Sequence, residues 1–269
     1  MPGRSTKLGG SHILVTGGTK GIGRAIVEAF LAEGANVSYC ARSVIGNEFA
    51  SVTADAKNGG VRAVGTAVDI GEAAAIRSWV EASAAEFGRI DAIIANAASF
   101  CTDATLESWQ RSFDMDMLGL ISLVEAAVPH LQKNTAISSI VVISSLAGFE
   151  ARHHSVTGPY ATLKRAQATL AKEYARKLGP IGVRVNTIVP GTIETPGQLL
   201  PDGTREPSRF EMARRNNPEY INGLLDSIPL GRAGAVEDVA NAVVFLTSPL
   251  AAYISGAALF VDGALAIGF

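Results

Sequence analysis

Between residues 16 and 23 the chain reads TGGTKGIG, and no other stretch narrows its architecture so far. Glycines at Gly17, Gly21 and Gly23 let a backbone turn sharply and come close to a pyrophosphate. Free N–H groups at a helix start then attract its charge. The cluster follows an apolar run at His12–Thr16 and opens into the helical sequence RAIVEAFLAEG, with a second strand-like run about 20 residues on. That context marks a nucleotide-binding loop rather than a plain tight turn.

The rest of the chain keeps the same rhythm. Strands are predicted at His12–Thr16, Asn36–Cys40, Val61–Ala67, Asp91–Ala95, Ser139–Ser144, Val183–Ile188 and Ala257–Val261. Helices are predicted at Gly21–Glu33, Gly46–Lys57, Glu72–Phe87, Leu106–Leu131, Tyr160–Leu178 and Val236–Leu246. Runs such as AIIA, IVVIS and ALFV are apolar throughout, as expected of strands covered on both faces. The alternation predicts an α/β fold, a parallel sheet with helices on both sides. With 269 residues and no linker-like stretch, one domain over residues 1–269 is expected.

Composition removes several functions. A formal net charge of −2 leaves no electrostatic footprint for nucleic acid or an anionic membrane. Cys40 and Cys101 are too few for a disulfide framework, and His12, His130, His153 and His154 lack metal-ligand spacing, so no metal is expected. The first ten residues have no apolar core of a signal peptide, and no apolar run reaches membrane length. A soluble, cytoplasmic protein is the expectation.

One segment breaks the rhythm. From Thr195 to about Asp226 the chain carries four prolines, three glycines and many charges. It reads either as a surface insertion or as a flap over the crevice at the strand ends.

The spacing TGxxxGxG, followed by Asp69, the NAA segment at 96–98, ISS at 143–145, YATLK at 160–164, RVNTIVPG at 184–191 and LGRAGAVEDVA at 230–240, resembles the short-chain dehydrogenase/reductase family along essentially the whole chain. The resemblance implies a doubly wound, Rossmann-type sheet of about seven parallel strands with a nicotinamide dinucleotide across the strand ends. It assigns Gly17, Thr19, Lys20, Gly21, Ile22 and Gly23 to the phosphates. Asp69 and Ile70 would border the adenine, Asn96 and Ala97 the ribose and ring, and Pro190, Gly191, Ile193 and Thr195 the nicotinamide. A homodimer or homotetramer is also implied, and the apolar tail ALAIGF suits a subunit contact or an ordinary core edge.

Charge bears on the choice of cofactor. The acid that would hold an NAD ribose at the end of the second strand is replaced by Ala41, and Arg42 follows. Arg42 and Lys20 suit the nearly doubly charged 2′-phosphate of NADP(H).

Of five tyrosines, only Tyr160 has a lysine four residues later, Lys164, on the same helical face. A free phenol titrates near 10, and a neighbouring cation lowers that value toward neutrality. Ser145 ends the strand before it and can bind a developing alkoxide. Ser144 is the alternative, and the resemblance favours Ser145. No GxSxG elbow supports a serine hydrolase.

Two positions depart from the family pattern. Where it has asparagine this chain has Asp116, which cannot donate a hydrogen bond when ionised. Ala98 stands in place of a glycine. His153 and His154 are either substrate contacts or loop residues.

The expected activity is hydride transfer between NADP(H) and a ketone or secondary alcohol, with Tyr160 as proton donor, Lys164 as its activator, Ser145 on the oxygen and Asp116 beside them. The rivals are a lyase, isomerase or cyclase using the nucleotide as a scaffold, and a nucleotide-binding protein without turnover. Flap residues Leu199, Leu200, Phe210, Arg205, Arg209, Arg214 and Arg215 leave both apolar and anionic substrates open.

Overall fold

The computed structural model describes residues 5–44, 49–55, 60–136, 138–150, 158–199 and 204–267. Seven parallel strands form one sheet: β1 (His12–Thr16), β2 (Asn36–Ala41), β3 (Ala63–Ala67), β4 (Ala92–Ala95), β5 (Ser139–Ile143), β6 (Arg184–Pro190) and the last strand, β11 (Ala258–Val261). Four two-residue strands, β7 (Ile193–Glu194), β8 (Gln198–Leu199), β9 (Arg205–Glu206) and β10 (Gly234–Ala235), form two small sheets outside it. The order in the large sheet is β11-β6-β5-β4-β1-β2-β3. Strand order therefore reverses between β1 and β4, the place where a doubly wound sheet opens a crevice at its carboxyl ends.

Helices cover both faces. They are α1 (Gly21–Ala32), α2 (Ala50–Asp55), α3 (Ala73–Phe87), α4 (Leu106–Ser112), α5 (Gly119–Leu131), α6 (Pro159–Leu178), α7 (Arg209–Asn216), α8 (Pro218–Asp226) and α9 (Val236–Thr247). Successive residues of a strand point to opposite faces, so β1 serves two cores at once. Ile13 and Val15 pack with Ile26 and Phe30 of α1 and Val239 and Val243 of α9. Leu14 packs on the other side with Ile76 and Val80 of α3, Leu123 of α5 and Ala175 of α6. Burying each such side chain contributes roughly 1.5–3 kcal/mol, so the sheet is a rigid base for whatever its ends carry.

Two elements differ from the sequence expectation. The helix expected over Leu106–Leu131 is interrupted by a π-helical turn at Phe113–Leu118, which contains Asp116. The strand expected from Val61 begins at Ala63. Of the helix expected over Gly46–Lys57, Ala50–Asp55 is helical, and residues 46–48 and 56–57 lie outside the described residues. The described residues of the irregular segment after Thr195 include β8, β9, α7 and α8. Ser208 caps α7 and receives Glu211 in return, and Asn217 caps α8.

Candidate active site

The glycine loop is held by the sheet. Gly17 has φ +71°, a left-handed conformation suited to glycine, and the Gly17 and Gly18 N–H groups donate to Cys40 O at 2.7 and 3.2 Å. A Cβ at Gly23 would strike Gly17 O, so only glycine lets α1 begin this close to β1. Lys20 at the N-cap gives no side-chain bond and the first turn holds no acid. The opening N–H groups of α1 are thus uncapped by side chains, an arrangement that fits a pyrophosphate.

Opposite the loop, Asn96 Nδ2 donates to Thr16 O at 2.9 Å and Gly17 O at 3.2 Å, while Asn96 N and Ala97 N donate to Thr16 Oγ1. These bonds fix the exits of β1 and β4 around a cavity of about 530 Å³. Of the residues expected to hold a cofactor, Gly17, Thr19, Lys20, Ile22, Gly23, Arg42, Asp69, Ile70, Asn96, Ala97 and Thr195 line it. Lys20 and Arg42 are exposed on its rim, next to the neutral Ala41. Gly21 faces Thr195, whose Cγ2 lies 3.5 Å from the position of an added Cβ. Pro190 pairs with Val261, Gly191 N donates to Val261 O, and Ile193 pairs with Gly234, which sets the turn carrying Thr195. Ala98, the methyl in place of glycine, also borders the cavity.

The end of β5 is locked to α6. Ser144 Oγ donates to Lys164 O at 2.7 Å, and Lys164 Nζ donates to Ile143 O at 2.7 Å. Ser144 is thereby committed to the backbone. Ser145 is half-buried and extended, and its Oγ accepts from Ala147 N at 3.2 Å, which leaves the hydroxyl hydrogen available. Tyr160 is half-buried at the start of α6, its ring centred 4.5 Å from that of Phe100. Lys164, one helical turn on, is 2% exposed. Burial lowers its ammonium to about 8, and the charge of Asp116 opposes the shift. The end of β5 and the first turns of α6 thus carry a half-buried hydroxyl at Ser145, a half-buried phenol at Tyr160 and an enclosed ammonium at Lys164, groups of the kinds that move a proton and hold a negative oxygen.

Asp116 is 1% exposed. Its Oδ1 accepts from Ser99 N at 2.8 Å and its Oδ2 from Ser99 Oγ at 3.0 Å. Burial pushes the carboxyl above the ordinary carboxylate range, against the opposing pull of Lys164 and the Ser99 bonds.

The segment after Thr195 reaches back toward this region through Arg214, which pairs with Glu194 at 3.1 Å. Arg205 makes two bonds to Glu211. Phe210 is buried rather than presented to solvent. His153, His154 and Leu200 lie outside the described residues, as do the side chains of Leu199 and Arg209. Sequence reasoning missed Ser99, Phe100 and Gln167. Gln167 had a signal, its position three residues after Lys164 on an otherwise apolar stripe, whereas Ser99 and Phe100 had none beyond following the NAA segment.

No helix among the described residues is long and apolar enough to cross a membrane, and among them no group of three or more His, Cys, Asp or Glu could hold a metal ion.

A family model described as enoyl-(acyl carrier protein) reductase matches residues 17–265. The chain is 42% identical over 265 residues to an isoepoxydon dehydrogenase of Penicillium expansum, covering 98% of each protein. It is also similar to two solved structures. A blue fluorescent protein from a metagenomic library, in complex with NADPH, has a TM-score of 0.79 and 28% identity over 96% of this chain and 99% of that one. A structure described as a 2-deoxy-D-gluconate 3-dehydrogenase of Agrobacterium tumefaciens, with bound NADP, has a TM-score of 0.80 and 29% identity over 98% and 99%.

Proposed function

Because this chain belongs to the short-chain dehydrogenase/reductase family, we propose that it interconverts a ketone and a secondary alcohol with NADP(H), using Tyr160 as proton donor and acceptor. The observation that carries this reading is the pair of hydrogen bonds between the end of β5 and α6. Ser144 to Lys164 O and Lys164 to Ile143 O tie the strand end that precedes Ser145 to the helix that carries Lys164 and, one turn earlier, Tyr160, which supports reading the three as one site. When bound, the nicotinamide supplies or accepts the hydride.

The chain's own residues do the rest. Gly17, Thr19, Gly21, Ile22 and Gly23 would hold the pyrophosphate, and Asp69 and Ile70 the adenine. Asn96, Ala97, Tyr160 and Lys164 would hold the nicotinamide ribose, and Pro190, Gly191, Ile193 and Thr195 the nicotinamide side. Lys20 and Arg42 would oppose the 2′-phosphate, which is the ground for NADP(H) over NAD(H). The Ser145 hydroxyl donates to the substrate oxygen as that oxygen gains charge. Tyr160 gives the same oxygen its phenolic proton, and Lys164 stabilises the phenolate left behind. Asp116 keeps Lys164 charged against its burial.

Arg205 and Arg214 are each paired with an acid, which favours a neutral substrate over an anionic carrier-linked one. Similarity to an isoepoxydon dehydrogenase puts isoepoxydon first in the panel of substrates. The assembly would be a homodimer or homotetramer in the cytoplasm. The test is NADPH absorbance followed with a panel of ketones, and NADP with the alcohols. Tyr160→Phe should still bind NADPH and lose turnover by orders of magnitude; full activity in that variant would overturn the assignment.

A further inference from the structure

The buried face of α6 continues past its Tyr–Lys pair. Tyr160, Lys164, Gln167 and Ala171 succeed one another at helical spacing, and the last three are 2%, 3% and 1% exposed. Gln167 is thus an enclosed amide, while Leu163, Ala171, Ala175 and Leu178 make the rest of the stripe apolar. Its Nε2 donates at 2.7 Å to the main-chain carbonyl of Asp116. That carbonyl belongs to the widened turn Phe113–Leu118, a geometry that is rare and concentrated at functional sites. Among the described residues Gln167 Oε1 has no hydrogen-bond partner, and the side chain borders a cavity of about 10 Å³ that Thr16, Ala97 and Asp116 also line. A leucine there would take the donor away from the Asp116 carbonyl, so the amide serves that turn and not packing alone.

Asp116 is therefore gripped twice. The segment leaving β4 holds its carboxylate through Ser99, and the helix carrying Tyr160 and Lys164 holds its backbone through Gln167. We propose that Gln167 is a positioning residue for proton transfer, clamping the Asp116 turn onto α6 so that the carboxylate stays where its charge acts on Lys164 and, through Lys164, on Tyr160. The proposal rests on the roles given above to Tyr160 and Lys164.

Among the described residues, the charges on the elements packed against α6 have partners of their own or face solvent. Arg184 of β6 donates to the carbonyls of Leu246 and Thr247, and Asp114 accepts from Gln110. On α4, Arg111 donates to Cys101 Sγ and Glu107 lies exposed in the first turn. Arg165, on α6 itself, lies over the Phe149 ring. β5 contributes the uncharged Ile143 carbonyl, and residues 146–148 and 179–181 carry no charge. Asp116 is the charge that opposes the lowering of Lys164 by burial. Loosening the clamp lets that carboxylate retreat, Lys164 loses its proton more easily, and the Tyr160 phenolate loses support. Tyr160 then titrates at higher pH.

The test uses Gln167→Leu and, as the closer match in length, Gln167→Met in the full chain. Ultraviolet difference titration of each against the same protein carrying Tyr160→Phe reads the Tyr160 phenol itself, without turnover. The midpoint should rise by at least about half a pH unit, roughly threefold in phenolate at a given pH. In an Asp116→Asn background, which has no carboxylate to place, Gln167→Leu should leave the midpoint unmoved. A midpoint unchanged in either folded variant overturns the proposal, as does an equal rise in the Asp116→Asn background. A lowered melting temperature with an unmoved midpoint assigns Gln167 to the fold and likewise overturns it. Wild-type protein that binds NADPH but reduces no carbonyl would refute the functional reading separately, because the titration needs no reaction.

Discussion

Replacing Lys164 with methionine removes a cation that the fold encloses almost completely, at 2% exposure. Burial lowers the ammonium from 10.5 to about 8. A lysine lowered in this way binds its proton less tightly in the folded chain than in the unfolded one. Between pH 8 and 10.5 the unfolded state therefore holds the extra proton, and stability rises with pH. Below pH 8 both states are protonated and the full cost is present; above 10.5 neither is, and the cost has vanished. The gap between 10.5 and about 8 corresponds to about 3 kcal/mol. Urea unfolding of the wild type and Lys164→Met from about pH 7 to 11 reads this directly. The wild type should gain about 3 kcal/mol on the variant across the interval from 8 to 10.5 and nothing below it. Taking the difference cancels groups common to both proteins, such as Cys40, whose thiol burial pushes up to about 12. Parallel curves would refute the reasoning that enclosure depresses Lys164. A lysine lowered to about 8 is one whose charge small changes around it can switch, and this is why Asp116 and Gln167 matter.

Further outcomes follow from the same geometry. Charge-assisted bonds contribute about 1.5–3 kcal/mol each, and exposed side chains lie at the low end, so Arg42→Ala and Lys20→Ala should each lower the preference for NADPH over NADH roughly tenfold. Fluorescence titration with both cofactors checks this, and an unchanged ratio in both variants would reject the 2′-phosphate assignment. Gly23→Ala places a methyl against Gly17 O, so cofactor binding measured by calorimetry should be lost or severely weakened. Binding at wild-type strength would mean that the loop can yield. Asp116→Asn removes the charge that sustains the Lys164 proton, so the low-pH limb of alcohol oxidation should move to higher pH. A superimposable pH–rate profile would deny Asp116 any electrostatic role.

What the sequence reveals depends on how local each cause is. β1 is legible because burial on both faces demands five consecutive residues that pack, and His12–Thr16 has that form. The glycine loop is legible because Gly17 and Gly23 answer backbone constraints set within eight residues. The break at Phe113–Leu118 is not legible. Phe-Asp-Met-Asp-Met-Leu suits an ordinary helix, and the bonds that hold the turn come from Ser99 and from Gln167, 51 residues away. The choice between Ser144 and Ser145 likewise turns on a distant group, the Lys164 carbonyl. The α7 start was readable but unread: Ser208 and Glu211 have the spacing of a capping box, hidden by the surrounding prolines.

These nonlocal features gather around one helix. Phe100 holds a left-handed φ of +48° against the Tyr160 ring, the turn before α5 that carries Asp116 is widened, and two charges and an unpaired amide oxygen are enclosed beside α6. Each such feature costs on the order of 1–3 kcal/mol, comparable to what one buried core side chain contributes. They persist because β1, β4 and β5 are buried through their whole length and do not yield. A site supported in this way is over-determined in position but finely balanced in charge. Loss of a single bond within it should then appear in the protonation of Tyr160 and Lys164 before it appears in the stability of the sheet.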